Sequence, residues 1–188
     1  MIMHVRSSSA SGMPVVDDET LEVVGFLREP LIHPDNGRIE GFFVTPAPSS
    51  LSGEELFLPA LDIIGWGTKV HIRSIDRLSP PGELIRLQPL MTDNRRFLGQ
   101  NIKIKGTKKL LGVCADVQFD TRHFVVEWLF PRKFLLQQQP LPASDIAEVT
   151  KQAIWMRDPL APAKEEKIDS AASGLVLPEV LSSPQGCQ

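Results

Sequence analysis

Two stretches of this 188-residue chain repeat one another, and that duplication limits the possible folds more sharply than any other feature. Gly12, Val15 and Val23-Val24-Gly25 return as Gly99, Ile102 and Leu110-Leu111-Gly112 at a constant offset of 87. Phe42-Phe43-Val44 faces Trp128-Leu129-Phe130 at 86, as though one residue were lost in a turn. Leu58 to Ile63 matches Leu141 to Ile146 at 83, and Val70 to Arg73 matches Ala153 to Met156 at the same spacing. The sequence therefore divides into a flexible N-terminus (1–11), a first unit (12–78), a linker (79–96), a second unit (97–160) and a tail (161–188). Each unit has roughly 65 residues, which is small for an independent core.

Within each unit the apolar spacing is short and strand-like: Val23 to Leu27, Ile39 to Thr45 and Val70 to Ile75, then Asn101 to Lys105, Val113 to Phe119, Phe124 to Phe130 and Ala153 to Arg157. His33-Pro34-Asp35-Asn36-Gly37 has the composition of a hairpin turn, with Gly37 supplying a left-handed residue. The second unit has Asp120-Thr121-Arg122-His123 there, so Arg122 or His123 is expected to take any positive φ. Short antiparallel strands in so small a unit leave open edges, and closing the sheet removes them. The expected fold is thus all-β, two tandem small antiparallel β-barrels. Ser79, Pro80 and Pro81 predict a short linking helix with Leu84, Leu87 and Leu90 near one face. After Pro159 the composition shifts to Ala, Pro, Lys, Glu and Ser, which predicts a disordered tail.

Composition excludes some classes. Apolar runs such as Phe42 to Val44 are far shorter than the ~20 residues of a spanning helix, so no membrane insertion is expected. Met1 to Met13 lacks the apolar stretch of a signal peptide, and with two cysteines, Cys114 and Cys187, the expected location is cytoplasmic.

Taken together, Ser11 to Val15, Val24-Gly25, Pro34 to Val44, Leu58-Pro59 and Asp62 to Gly65 leading into Val70 to Ile72 resemble the PRC-barrel domain. The second unit supplies the same pattern through Leu98-Gly99, Leu111-Gly112, Asp116 to Phe130, Leu141-Pro142, Asp145-Ile146 and Ala153 to Trp155. This family occurs in the cytoplasmic part of the photosynthetic reaction-centre H subunit and at the C-terminus of the ribosome maturation factor RimM. The resemblance implies a non-enzymatic adaptor or scaffold that docks on other proteins or on ribonucleoprotein. Residues matched to the pattern are fold residues, with no catalytic role and no cofactor.

Charge is the most informative functional signal. Residues 12–78 hold 5 Lys and Arg against 11 Asp and Glu, net -6, while 95–133 hold 9 against 3, net +6. Lys103 and Lys105 are expected on one strand face, with Lys108 and Lys109 across the Gly106-Thr107 turn. This basic hairpin tip suits RNA, a ribosomal particle or an acidic protein, or else is a solvated edge on which lysine blocks sheet-to-sheet pairing. Four phosphate contacts would give a salt slope near -4, and affinity would fall roughly a hundredfold between about 50 and 200 mM salt. The opposite charges of the two units could also join them or drive self-association.

Other chemistry is sparse. Cys114 with His123 and Asp116 or Asp120 is the one nucleophile–base combination, set against a small buried thiol in an apolar strand. His4, His33, His71 and His123 show no metal-ligand spacing, and Asp35-Asn36-Gly37 lacks the later glutamate of a calcium loop. Asp62 and Asp145 occupy matched places and are expected to cap short helical turns. Trp66, between Gly65 and Gly67, is a candidate partner anchor or a core residue; Trp128, Trp155 and Phe130 are expected in the core. The stretch Phe130 to Gln139, with Arg132 and Lys133, has no equal-length match in the first unit and is a candidate binding loop.

Overall fold

The computed structural model describes residues 4–48 and 53–158. The chain is mainly β, in two sheets of matching topology. Residues 4–10 form β1 (His4–Arg6) and one helical turn, α1 (Ser7–Ala10). The first sheet follows as β2 (Pro14–Asp17), β3 (Val23–Ile32), β4 (Ile39–Pro46), β5 (Leu56–Pro59), β6 (Ile63–Trp66) and β7 (Val70–Ile72), in the spatial order β5-β4-β3-β2-β7-β6. After the linker come β8 (Asn101–Ile104), β9 (Leu110–Asp120), β10 (Val125–Lys133), β11 (Leu136–Gln137), β12 (Leu141–Pro142), β13 (Ile146–Val149) and β14 (Ala153–Met156). These run β11-β10-β9-β8-β14-β13, with β12 also on β10 and β1 on β9.

The duplication is visible bond by bond. Gly12 N donates to Leu27 O at 2.8 Å, and 87 residues on Gly99 N donates to Cys114 O at 2.8 Å. Leu21 and Lys108 hold matching φ values of 60° and 57° at the same turn. At Gly25 a Cβ would lie 2.7 Å from Thr45 O, and at Gly112 2.8 Å from Arg132 O, so each β-strand crossing is tight enough to require glycine.

Several expectations are corrected. The sheets are mixed: β2 pairs with β7 in parallel, as β8 does with β14, because the chain leaves β2 by one edge and returns on the other after a long excursion. Among the described residues, hydrogen bonding runs from one terminal strand of each sheet to the other without returning; one sheet curls into a half-barrel, and two closed barrels are not seen. The offset in β4 and β10 stays at 87, not 86: Phe42 pairs with Pro30 as Leu129 pairs with Val117. It is 84 in β7 and β14, where Val15 faces Val70 and Ile102 faces Ile154. In the second hairpin turn the positive φ, 53°, falls on Phe124, the counterpart of Gly37, rather than on Arg122 or His123.

Residues 4–10 are not a loose lead-in, since β1 pairs antiparallel with β9 of the second sheet. The linker contains two 3-10 turns (Pro81–Glu83 and Ile85–Leu87) and α2 (Gln88–Met91) in place of one helix. Ser79 does not cap it; its backbone exchanges hydrogen bonds with Phe57. Residues 159–188, with Cys187 and the expected tail, lie outside the described residues.

The two units do not keep separate interiors. Phe42 and Trp66 from the first unit pack tilted or edge-on against Phe119 and Phe124 from the second, with ring centroids 5.6–6.3 Å apart, and the buried apolar residues form one cluster. A small two-stranded bridge joins the sheets, where Ile39 N donates to Phe124 O and Val126 N to Gly37 O. Its central pair is Arg38 and Val125, which are themselves counterparts at the offset of 87. An approximate two-fold axis therefore passes through that pair, giving the isologous pattern of a symmetric dimer within one chain.

Candidate functional site

The second sheet carries the expected basic residues, but its geometry separates them into two groups. β8 ends at Ile104, so Lys105 lies beyond the strand and does not share a regular strand face with Lys103. Lys103 Nζ stands 5.8 Å from the centre of the Trp155 ring, within cation–π range. Lys105 Nζ pairs with Glu148 Oε1 at 3.3 Å. Lys108 and Lys109 are exposed at the turn into β9.

Next to that turn lies a feature composition did not single out. Lys133 pairs with Leu136 across β10 and β11, leaving Phe134 and Leu135 as a two-residue hairpin tip, with Phe134 at φ 56°. Phe134, Leu135 and Leu136 are 90%, 94% and 72% exposed. Soluble surfaces scatter single apolar side chains, but three successive large ones on a protruding tip are a binding signature. Because Arg132 pairs with Val113 near the start of β9, the tip lies at the same end of the sheet as Lys108 and Lys109. Arg132 and Lys133, both exposed, precede it directly. The result is an apolar knob with four basic residues at its end of the sheet. The loop Phe130 to Gln139 drew attention by its length; its apolar tip could have been found from Phe134-Leu135-Leu136 falling in a segment too polar at its ends to be a core strand.

Other candidates resolve differently. Trp66 is 6% exposed in the shared aromatic cluster, so it is a core residue and not a surface anchor. Its indole Nε1–H has no hydrogen-bond partner. Trp128 is 40% exposed, contrary to expectation, because the true register puts Leu129 in the place of buried Phe42 and turns the neighbouring Trp128 to the other face. Phe130 is buried and Trp155 half-buried.

Cys114 is fully buried, and burial, reinforced by Asp116, pushes its thiol up to about 12. His123 is not brought to it; its ring bonds to Asp120 at the exposed turn. Asp120 is held below the usual carboxylate range by the Arg122 backbone N–H and then by His123, against the effect of burial. Asp116 accepts from Ser7 Oγ at 2.6 Å, Ser8 N at 3.1 Å and Val117 N at 2.9 Å, which makes it the anchor of the N-terminal segment. Asp62 and Asp145 each close a 3-10 turn as its last residue and cap nothing with their side chains. Asp35 lies in the expected turn, where Asn36 Oδ1 accepts from Arg38 N at 2.9 Å and Arg95 pairs with Asp35.

No helix among the described residues is long and apolar enough to cross a membrane. No protein-family model matches the chain, and no curated protein matches it.

Proposed function

We propose that this chain is a non-enzymatic adaptor of PRC-barrel type, working in the cytoplasm and holding a protein partner at the free end of its second sheet. One observation carries the proposal: the Phe134–Leu136 tip is exposed, with Arg132, Lys133, Lys108 and Lys109 at the same end, and at the offset of 87 the first copy's sequence has Ala47-Pro48-Ser49 in its place. Three successive large apolar side chains left in solvent serve something other than folding. Its chemistry fits a partner with an apolar socket and an acidic rim. Burying two leucines and a phenylalanine offers several kcal/mol of contact energy at ~1.5–3 kcal/mol each, and the cations steer the encounter.

The support for an adaptor also includes the state of Cys114, whose buried thiol stays neutral at neutral pH while His123 bonds to Asp120 instead. RNA binding is the second reading, favoured by the exposed Lys108 and Lys109 and by the stacking face that Phe134 presents. Lys103 and Lys105 add less to it, one lying on Trp155 and the other paired with Glu148.

The test is capture from native cells with the wild-type chain and with the triple variant Phe134→Ser, Leu135→Ser, Leu136→Ser. An adaptor loses a defined protein from the wild-type eluate when the tip is changed, with the thermal midpoint of the variant within about 2 °C of wild type, as surface changes allow. Nuclease treatment leaves that protein bound. Retention of the same proteins by both chains would remove the proposal, and loss on nuclease treatment would move it to RNA.

A further inference from the structure

The duplication holds its own comparison: an edge that β1 pairs with in the second sheet and that no strand pairs with in the first, among the described residues. In the second, β1 pairs with the far half of β9, Val5 opposite Phe119 and Arg6 opposite Gln118. Val5 is buried, the Arg6 guanidinium lies 3.8 Å above the Phe130 ring, and Ser7 and Ser8 bond to Asp116. An extended stretch, His-Val-Arg, thus adds a strand to the edge, and the helical turn after it ties Ser7 and Ser8 to Asp116.

At the offset of 87, the receiving residues Asp116, Gln118, Phe119 and Phe130 correspond to Glu29, Leu31, Ile32 and Phe43. All four line one groove of about 620 Å³. Beyond Leu27, β3 has a strand neighbour on one side only, β4. The opposite wall of the groove includes Met91, Asp93 and Phe97, the counterparts of His4, Arg6 and Ala10. That segment does not close it. Thr92 N turns back to Gln88 O and Asp93 N to Leu90 O, and no main-chain bond reaches β3. Asp93 stands where Arg6 does in the other copy and is tied to Arg95, so no cation reaches Phe43 from it. Pro30, the counterpart of Val117, has no N–H to donate, which confines the pairing of an added strand to the residues after it.

We propose that this groove, which deepens the adaptor reading and rests on it and which Arg28, Arg95 and Arg96 line together with Glu29, Glu55 and Asp93, takes an extended peptide segment of a partner protein, carrying one arginine as β1 does, by strand addition to β3 at Leu31–His33. A small apolar side chain would enter beside Ile32, the following arginine would lie on Phe43 near Glu29 and Glu55, and hydroxyl residues would bond to Glu29. Main-chain pairing supplies affinity and the alternate side chains supply selectivity.

The probe is a fluorescein-labelled peptide of the chain's own residues 4–10, HVRSSSA, titrated into the full chain and read by polarisation. Saturable binding is expected. It should weaken at least tenfold when the peptide arginine is aspartate, when its valine nitrogen is methylated, and in Phe43→Ala. The Phe130→Ala variant, which alters the edge already covered, should bind as wild type does. Binding that ignores the peptide changes, or that is lost in Phe130→Ala and kept in Phe43→Ala, would overturn the proposal, as would the absence of saturation at about 1 mM. If the chain self-associates and the peptide dissociates it, the occupant is a second copy and the partner-peptide proposal falls. A failed peptide titration beside successful capture through Phe134–Leu136 would sink the groove and leave the adaptor standing; the reverse result would sink the tip.

Discussion

Trp66 is fixed at the junction by three rings, Phe42 from its own unit and Phe119 and Phe124 from the other. Trp66→Ala should cost about 3–5 kcal/mol in urea unfolding, the range for a buried aromatic truncated to a methyl. Trp66→Phe should cost about 1 kcal/mol or less, because the lost indole N–H has no partner to abandon. Neither its burial nor its orphaned donor was legible in the sequence. Flanking glycines signal a turn, and what faces that turn is decided by a unit 53 residues further on. Cys114 was legible, as an apolar strand residue with a small thiol. With Cys187→Ser as background, Cys114 should resist a thiol reagent at pH 8 at least a hundredfold better in the folded than in the unfolded chain. Since burial raises the native thiol to about 12 while an unfolded one ionises near ~8.5, the unfolded state sheds this proton first. Stability should therefore fall as pH rises between those values.

At the level of elements, the strands were readable because β-branched and aromatic runs alternate with turn residues, and the hairpin at Gly37 was readable from its composition. Pairing was not. An offset of 86 for β4 and β10 aligns aromatic with aromatic, yet a one-residue slip exchanges the faces of a strand, and hydrogen bonding holds the offset at 87. Phe124 accepts a left-handed backbone, at a cost of about 1–2 kcal/mol, because its ring is fixed between Phe42 and Trp66. The strap formed by β1 and α1 was invisible for a different reason: its partner, β9, lies more than 100 residues away, and three serines carry no strand signal. Asp116→Ala would leave Ser7, Ser8 and Val117 without their acceptor. It should destabilise the fold by about 2–3 kcal/mol and speed amide exchange in residues 4–10 well beyond that of β10. Equal acceleration in both would mean that the strap is not a separately held element.

On the scale of the molecule, the candidate surfaces lie where the copies differ. One has an apolar hairpin tip where the other's sequence has Ala47-Pro48-Ser49, and the other has an edge that no strand among the described residues pairs with. The basic balance of residues 95–133 was plain in the sequence; which cations remain free depended on Trp155 and Glu148, which a count of charges does not place. Two units packed through one aromatic cluster and one shared strand bridge should fold and unfold together. The direct test uses two single-tryptophan chains, Trp128→Phe with Trp155→Phe to report from Trp66, and Trp66→Phe with Trp128→Phe to report from Trp155. Each is unfolded in urea and followed by fluorescence and by circular dichroism. Within each chain the two signals should trace a single coincident transition, and a chain of residues 12–78 alone should show no cooperative transition. Separate transitions within one chain, or a first unit that folds alone, would contradict the shared core.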